Sequence, residues 1–159
     1  MNYQLLDTPI GTLRLVSKDC KLARVEFQDQ HNIQASERLE SNSILDCAAR
    51  QLREYFAGKR QYFELALDPC GTAFQQEVWT SLQTIPFGEV RSYRDIAHEV
   101  GRPKAVRAVG AANGRNPIPI IVPCHRVIGS DGSLTGFAGG LETKKLLLQL
   151  EGALPHAIA

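Results

Sequence analysis

Three prolines, Pro117, Pro119 and Pro123, punctuate a stretch from Asn113 to Gly140 that is otherwise rich in Gly, Asn and β-branched residues. Each proline lacks a donor N–H and fixes its own φ, so no helix is expected there and the stretch must form a stiff, shaped loop. Cys124 and His125 stand at its centre. An imidazole beside a thiol can supply or relay a base, and the thiol can become a thiolate nucleophile. Adjacent side chains rarely face one another, so a bridging water serves as well as direct contact. An isolated Cys-His pair is more simply a buried, inert thiol beside a surface histidine, so the surroundings must decide.

Upstream, Thr12-Leu13-Arg14-Leu15 and Ala23-Arg24-Val25-Glu26-Phe27 alternate apolar with polar across turn-prone residues 17–20, which predicts a hairpin. Ile44, Leu45, Ala48, Leu52, Tyr55 and Phe56 recur at helical spacing, with Gly58 as the stop. Residues 62–67 alternate again, and Asp68-Pro69-Cys70-Gly71 reads as a break. The expected domains are therefore residues 1–70 and 71–159. In the second, Thr72 with Gln75 and Ser92 with Asp95 have capping-box spacing. Phe74, Val78, Trp79, Leu82 and Ile85 form one apolar stripe, making Trp79 a core residue. A short helix from Ser92 to Val100, closed by Gly101, precedes a second helix expected to start at Pro103 and run to about Ala112. This pair suggests a helix-turn-helix, and the whole chain reads as an α+β protein.

Composition bounds the function classes. The chain has 159 residues, 43% hydrophobic and 22% charged, with a formal net charge of +1. No apolar run reaches the ~18 residues of a membrane span, and the first residues lack a signal-peptide pattern, so a soluble, cytoplasmic protein without membrane contact is expected. Cys20, Cys47, Cys70 and Cys124 are far apart, with no Cys-x-x-Cys pair, which points to reduced thiols. Cys20 and His31 alone do not make the ligand set of a closed zinc site, so no metal is expected. Charge is uneven. Residues 91–126 contain Arg91, Arg94, Arg102, Lys104, Arg107, Arg115 and Arg126 against only Asp95 and Glu99. That excess suits phosphate binding, although such runs are often plain solvated faces.

The motifs decide between these readings. Pro86-Phe87-Gly88-Glu89-Val90, Ser92-Tyr93, Pro103-Lys104-Ala105-Val106-Arg107-Ala108-Val109-Gly110 and the run from Asn116 through Pro123-Cys124-His125-Arg126-Val127 occur in that order. Gly136-Phe137-Ala138-Gly139-Gly140-Leu141 and Leu147-Leu148-Gln149-Leu150-Glu151-Gly152 follow. Together they resemble the active-site domain of the O6-alkylguanine-DNA alkyltransferases over nearly all of residues 72–152. The first 70 residues match only loosely, as expected for that family's variable, ribonuclease H-like N-terminal half, a small sheet with a helix.

The resemblance implies single-turnover direct-reversal repair, in which Cys124 takes the alkyl group from O6-alkylguanine, with alkylthymine as a further substrate left open. It implies that Glu151 orients His125, which removes the thiol proton through a water. Asn116 braces the turn carrying Cys124. Tyr93 donates to guanine N3, and the backbone N–H of Ala138 points at O6. Backbone groups of Cys124 and Val127 read the exocyclic amine, and Pro119 and Phe137 complete the substrate-binding set. Phe137 and Ala138 stand where some members have Tyr and Ser, which leaves only backbone donation near O6.

For DNA, the resemblance makes Arg107 the residue that fills the stack when the target nucleotide is flipped out. Arg94, Arg102, Ser130 and Lys104 are the expected backbone contacts, which position without reading sequence. The implied partner is double-stranded DNA carrying O6-alkylguanine, bound by a monomer without a cofactor. Two other readings compete: a homologue that binds alkylated DNA without transfer, and a helix-turn-helix regulator. The presence of Cys124 argues against the first, and the lack of a long apolar seam for a dimer against the second.

Overall fold

The computed structural model describes residues 1–153 as two compact units: Met1–Cys70 with Pro117–Ile121, and Gly71–Asn116 with the residues from Val122 onward. Segment 117–121 thus groups with the N-terminal residues, where the Val25 N–H donates to the Pro117 carbonyl at 2.9 Å.

In the first unit, strands β1 (Asn2–Thr8), β2 (Gly11–Lys18), β3 (Lys21–Glu26) and β4 (Arg38–Leu39) form a sheet in the order β3-β2-β1-β4. β1–β2 and β2–β3 are antiparallel, and β4 lies parallel to β1. The hairpin predicted from alternation is β2–β3. Asp19 (φ 49°) and Cys20 (φ 65°) form its two-residue loop, the left-handed pair that matches strand twist. Cys20 is accordingly an exposed turn residue.

Helix α1 (Ser43–Phe56) starts on Asn42, whose side chain accepts from the Leu45 N–H. It ends in a Schellman turn. Gly58 has φ +74°, and the Gly58 and Lys59 N–H groups donate to the Tyr55 and Glu54 carbonyls. Its buried face, Leu45, Ala48, Leu52 and Tyr55, contributes about 1.5–3 kcal/mol for each large side chain removed from water.

β1 lies outside the alternating runs, and one expectation for this unit needs correction. Residues 62–67 form no strand, only an isolated bridge from Leu67 to Leu22. Arg14, a polar residue of the alternating run 12–15, is wholly buried. Its guanidinium holds Glu26 and Glu37 at 2.6 Å each and the Asn32 carbonyl at 2.9 Å, while Arg24 also grips Glu37. The 26–37 segment therefore covers that guanidinium, and the sheet has no simple wet face at Arg14.

The second unit is mainly helical: α2 (Ala73–Leu82), α3 (Tyr93–Glu99), α4 (Val106–Gly114) and α5 (Leu141–Leu150). Both predicted capping boxes form, at Thr72/Gln75 and Ser92/Asp95. Trp79 is 2% exposed, and its Nε1–H donates to the Ala112 carbonyl at 2.8 Å, tying α2 to α4. Gly71 runs so close to this ring that a Cβ there would meet it at 2.3 Å. α3 and α4 form the helix-turn-helix. α4, however, begins at Val106 rather than Pro103 and continues to Gly114. The Ala105 N–H closes a turn onto the Arg102 carbonyl, and Pro103 takes the second position of that turn, where its fixed φ is equally at home.

Candidate active site

Two short strands bring the site together: β5 (Arg91–Ser92) lies parallel to β6 (Val127–Ile128), pairing Ser92 with Ile128. Ser92 is also the cap of α3, so Tyr93, the first residue of that helix, emerges beside the strand carrying Val127.

Pro123 (φ −81°, ψ 65°) is the centre of an inverse γ-turn in which the Cys124 N–H donates to the Val122 carbonyl at 2.8 Å. One 3₁₀ turn, Cys124–Arg126, follows immediately, so the prolines exclude an α-helix but not this single tight turn. Two asparagines pin it. Asn116 Nδ2 donates to the Val122 carbonyl at 2.7 Å, and Asn113 Nδ2 donates to the Cys124 carbonyl at 3.3 Å. Cys124 is 4% exposed. Burial pushes its thiol up to about 11, against the opposing pull of the Asn116 hydrogen bond and the Lys144 charge.

His125 and Glu151 are both buried, and His125 Nε2 lies 2.7 Å from Glu151 Oε2. Arg126 grips the same carboxylate as a fork, Nε to Oε1 at 2.8 Å and a terminal nitrogen to Oε2 at 3.1 Å, and donates to the Ile85 carbonyl at 2.7 Å. Burial raises the Glu151 pKa, but the hydrogen bonds and charges of His125 and Arg126 outweigh it and hold the carboxyl at about 2. His125 moves down because burial disfavours its cation more than Glu151 favours it. A neutral ring donating from Nε2 carries its lone pair on Nδ1, which is buried and makes no hydrogen bond to the described protein. The local arrangement is a base held in one tautomer beside a buried thiol.

Tyr93 is half-buried, and its hydroxyl donates to the Thr135 carbonyl at 2.9 Å. Phe137 and Ala138 lie on the same β6–α5 connection, Phe137 half-buried and Ala138 exposed. Pro119 is buried in the 117–121 segment of the other unit. Arg94 on α3, Lys104 in the turn, Arg107 in the first turn of α4 and Ser130 are all exposed. Arg102 is exposed too, but it reaches Glu77 at 3.5 Å and lies 5.5 Å over the Phe74 ring. Arg126, counted by sequence within the basic run, is buried on Glu151 and adds nothing to an outer basic face.

Sequence reasoning missed Arg126 as a partner of Glu151, missed Asn113, and missed Lys144. Lys144 is wholly buried on α5, and burial brings its pKa down to about 8. A signal existed: Lys144, Leu147, Leu148 and Glu151 share one helical stripe, which leaves two charged groups on a buried face. Among the described residues no group of three or more His, Cys, Asp or Glu side chains could hold a metal ion, and no helix is long and apolar enough to cross a membrane.

Known proteins match both halves of the chain. Residues 1–69 match the ribonuclease-like domain of 6-O-methylguanine DNA methyltransferase, and residues 73–153 match its DNA binding domain. The methylated-DNA–protein-cysteine methyltransferase of Methanosarcina barkeri is 48% identical over 153 residues, 95% of this chain and 97% of that protein. Its Mycobacterium leprae counterpart is 51% identical over 147 residues, 92% of this chain and 89% of the other. The crystal structure of Mycobacterium tuberculosis OGT in complex with DNA superposes with a TM-score of 0.91 at 45% identity, covering 99% of this chain and 98% of that one. This chain belongs to the 6-O-methylguanine DNA methyltransferase family.

Proposed function

We propose that this protein repairs DNA by direct reversal, moving the alkyl group from O6 of an alkylated guanine in duplex DNA onto Cys124 in a single, irreversible turnover. The observation that carries this reading is the 2.7 Å contact of His125 Nε2 with the Glu151 carboxylate: with Nε2 committed there, Nδ1 is the ring's basic atom, on the residue next to the buried thiol. A thiol held near 11 is a poor nucleophile at neutral pH until its proton is removed. His125 removes it, Glu151 and Arg126 hold the ring in register, and Asn116 braces the turn.

The thiolate then attacks the alkyl carbon in line, a C–S bond forms, and the C–O6 bond breaks with its electron pair leaving on guanine. Tyr93 donates a hydrogen bond to N3 and the Ala138 N–H donates to O6, spreading the departing charge. The guanine anion takes up one proton, balancing the proton lost from the thiol. Carbonyls of Cys124 and Val127 accept from the exocyclic amine, and Phe137 borders the base.

The target oxygen is inaccessible inside a duplex, so the nucleotide must first leave the stack. Arg107, exposed on the first turn of α4, takes its place, while Arg94, Lys104, Arg102 and Ser130 hold phosphates. The protein acts as a monomer in the cytoplasm, on the nucleoid when bound to DNA. The test is Cys124→Ser: transfer from O6-methylguanine DNA disappears while duplex binding stays within about twofold, because a hydroxyl is far less acidic than a thiol. Transfer that survives this change contradicts the reading.

A further inference from the structure

Lys144 bears on the thiol only through its charge, yet it is 0% exposed on α5, in the stripe it shares with Leu147 and Leu148. Its Nζ donates to the Val127 carbonyl at 2.6 Å and to the Thr135 carbonyl at 2.9 Å. The same Thr135 carbonyl accepts the Tyr93 hydroxyl at 2.9 Å, and Nζ lies 5.8 Å over the Tyr93 ring. Among the described residues no carboxylate forms an ion pair with it.

Burying an ammonium on carbonyls alone is costly, and an apolar side chain of similar length would fill the stripe more cheaply. What the cation supplies is two short, charge-assisted hydrogen bonds that fix two backbone oxygens on different segments. One segment is β6. The other is the connection that leads into Phe137 and Ala138. A carbonyl oxygen has two lone pairs, so Val127 can accept from Lys144 and still accept from a base.

We propose that Lys144 is a positioning residue for guanine recognition: it aims the Val127 carbonyl at the exocyclic amine and keeps the Thr135 carbonyl as the resting acceptor of the Tyr93 hydroxyl. Tyr93 exchanges that acceptor for guanine N3 when the base enters, while Lys144 retains the loop. The inference rests on the reading of Val127 as an amine acceptor.

The test compares single-turnover rates on O6-benzylguanine and on O6-benzylhypoxanthine, which differ only in the exocyclic amine. Changes in thiol reactivity cancel in the ratio, so a merely structural role for Lys144 does not move it. Wild-type protein prefers the guanine substrate by roughly tenfold or more, the worth of a well-made buried hydrogen bond. Lys144→Met lowers the ratio severalfold, to what the Cys124 carbonyl alone sustains, in protein whose melting confirms folding. A folded Lys144→Met protein that keeps the preference overturns the proposal. Lack of preference in the wild type overturns the Val127 reading and the inference with it.

A second measurement uses the unmodified protein, since Met takes the Lys144 donor from the Val127 carbonyl and leaves the Thr135 carbonyl with the Tyr93 hydroxyl alone. The 15Nζ resonance of Lys144 shifts on adding unreactive 9-methylguanine and stays fixed with 9-methylhypoxanthine. Identical responses to the two bases overturn the proposal.

Discussion

His125 Nε2 and Glu151 Oε2 lie 2.7 Å apart with both side chains shut off from solvent, and Arg126 forks onto the same carboxylate. One buried anion thus answers two buried nitrogen groups, and its position fixes which nitrogen of His125 is basic. In the proposed mechanism, catalysis and the folding of the C-terminal unit share this carboxylate.

Glu151→Gln keeps the shape but removes the charge that balances Arg126, and it turns one acceptor into a donor. Transfer slows by about 10²-fold, in the range of a misplaced general base. Stability falls by about 3–5 kcal/mol, the cost of leaving one partner of a buried pair uncompensated. Single-turnover rates and urea melts of the same preparation check both; an unchanged rate in folded protein contradicts the role of Glu151.

Acid sensitivity follows from the same residue. Glu151 titrates at about 2 in the folded protein against an ordinary 4.5, so the folded state is favoured while Glu151 is ionised. The contribution, up to roughly 3 kcal/mol, is complete above pH 4.5 and is lost as pH falls from there towards 2. Glu37 adds a loss of the same sign: burial works against its ionisation, but the Arg14 and Arg24 hydrogen bonds and charges hold its pKa below the usual carboxylate value. Urea melts across this window show a steep decline in the wild type and a shallower one in Glu151→Gln, where only the Glu37 part and other carboxylates remain. Parallel slopes contradict the linkage.

Local signals made part of this molecule legible in the sequence. Capping boxes at Thr72 and Ser92, the Gly58 stop and the Trp79 stripe depend on neighbours a few residues away, and each appears in the structure. What stayed hidden depends on distant partners. The burial of Arg14 has no local sign, because Glu26, Glu37 and the Asn32 carbonyl reach it from elsewhere in the chain. Ile120 is a buried β-branched residue with φ +73°, a strain on the order of 1–3 kcal/mol that no local pattern announces. Pro103 fits a turn as well as a helix start, so the α4 boundary was open to either. Cys124 and His125 were visible through motif, whereas the buried fork of Arg126 and the staple of Lys144 needed the fold.

Arg107→Ala slows repair of duplex DNA at least about tenfold more than reaction with free O6-benzylguanine, because only the duplex has to be unstacked, at a few kcal/mol. Arg107 is exposed on α4 with no ion pair among the described residues, so its removal leaves the fold intact. Equal losses on the two substrates contradict a role in base extrusion.

Duplex affinity falls steeply with salt and hardly changes with sequence, since the proposed contacts go to phosphate. Removing Arg94 lowers the salt slope by roughly 0.9. Removing Arg102 lowers it less, because Glu77 and Phe74 already hold that side chain. Fluorescence titrations at several salt concentrations measure both slopes, and a sharp preference for one sequence contradicts this mode of binding.

The most direct test of the account is a titration of O6-methylguanine DNA against a fixed amount of protein, with transferred methyl groups counted and the modified residue located by peptide mapping. A thioether has no good leaving group, so the count stops at one methyl per protein molecule, on Cys124, with Cys20, Cys47 and Cys70 unmodified. Transfer beyond one equivalent, or a methyl group on any residue other than Cys124, contradicts the central claim.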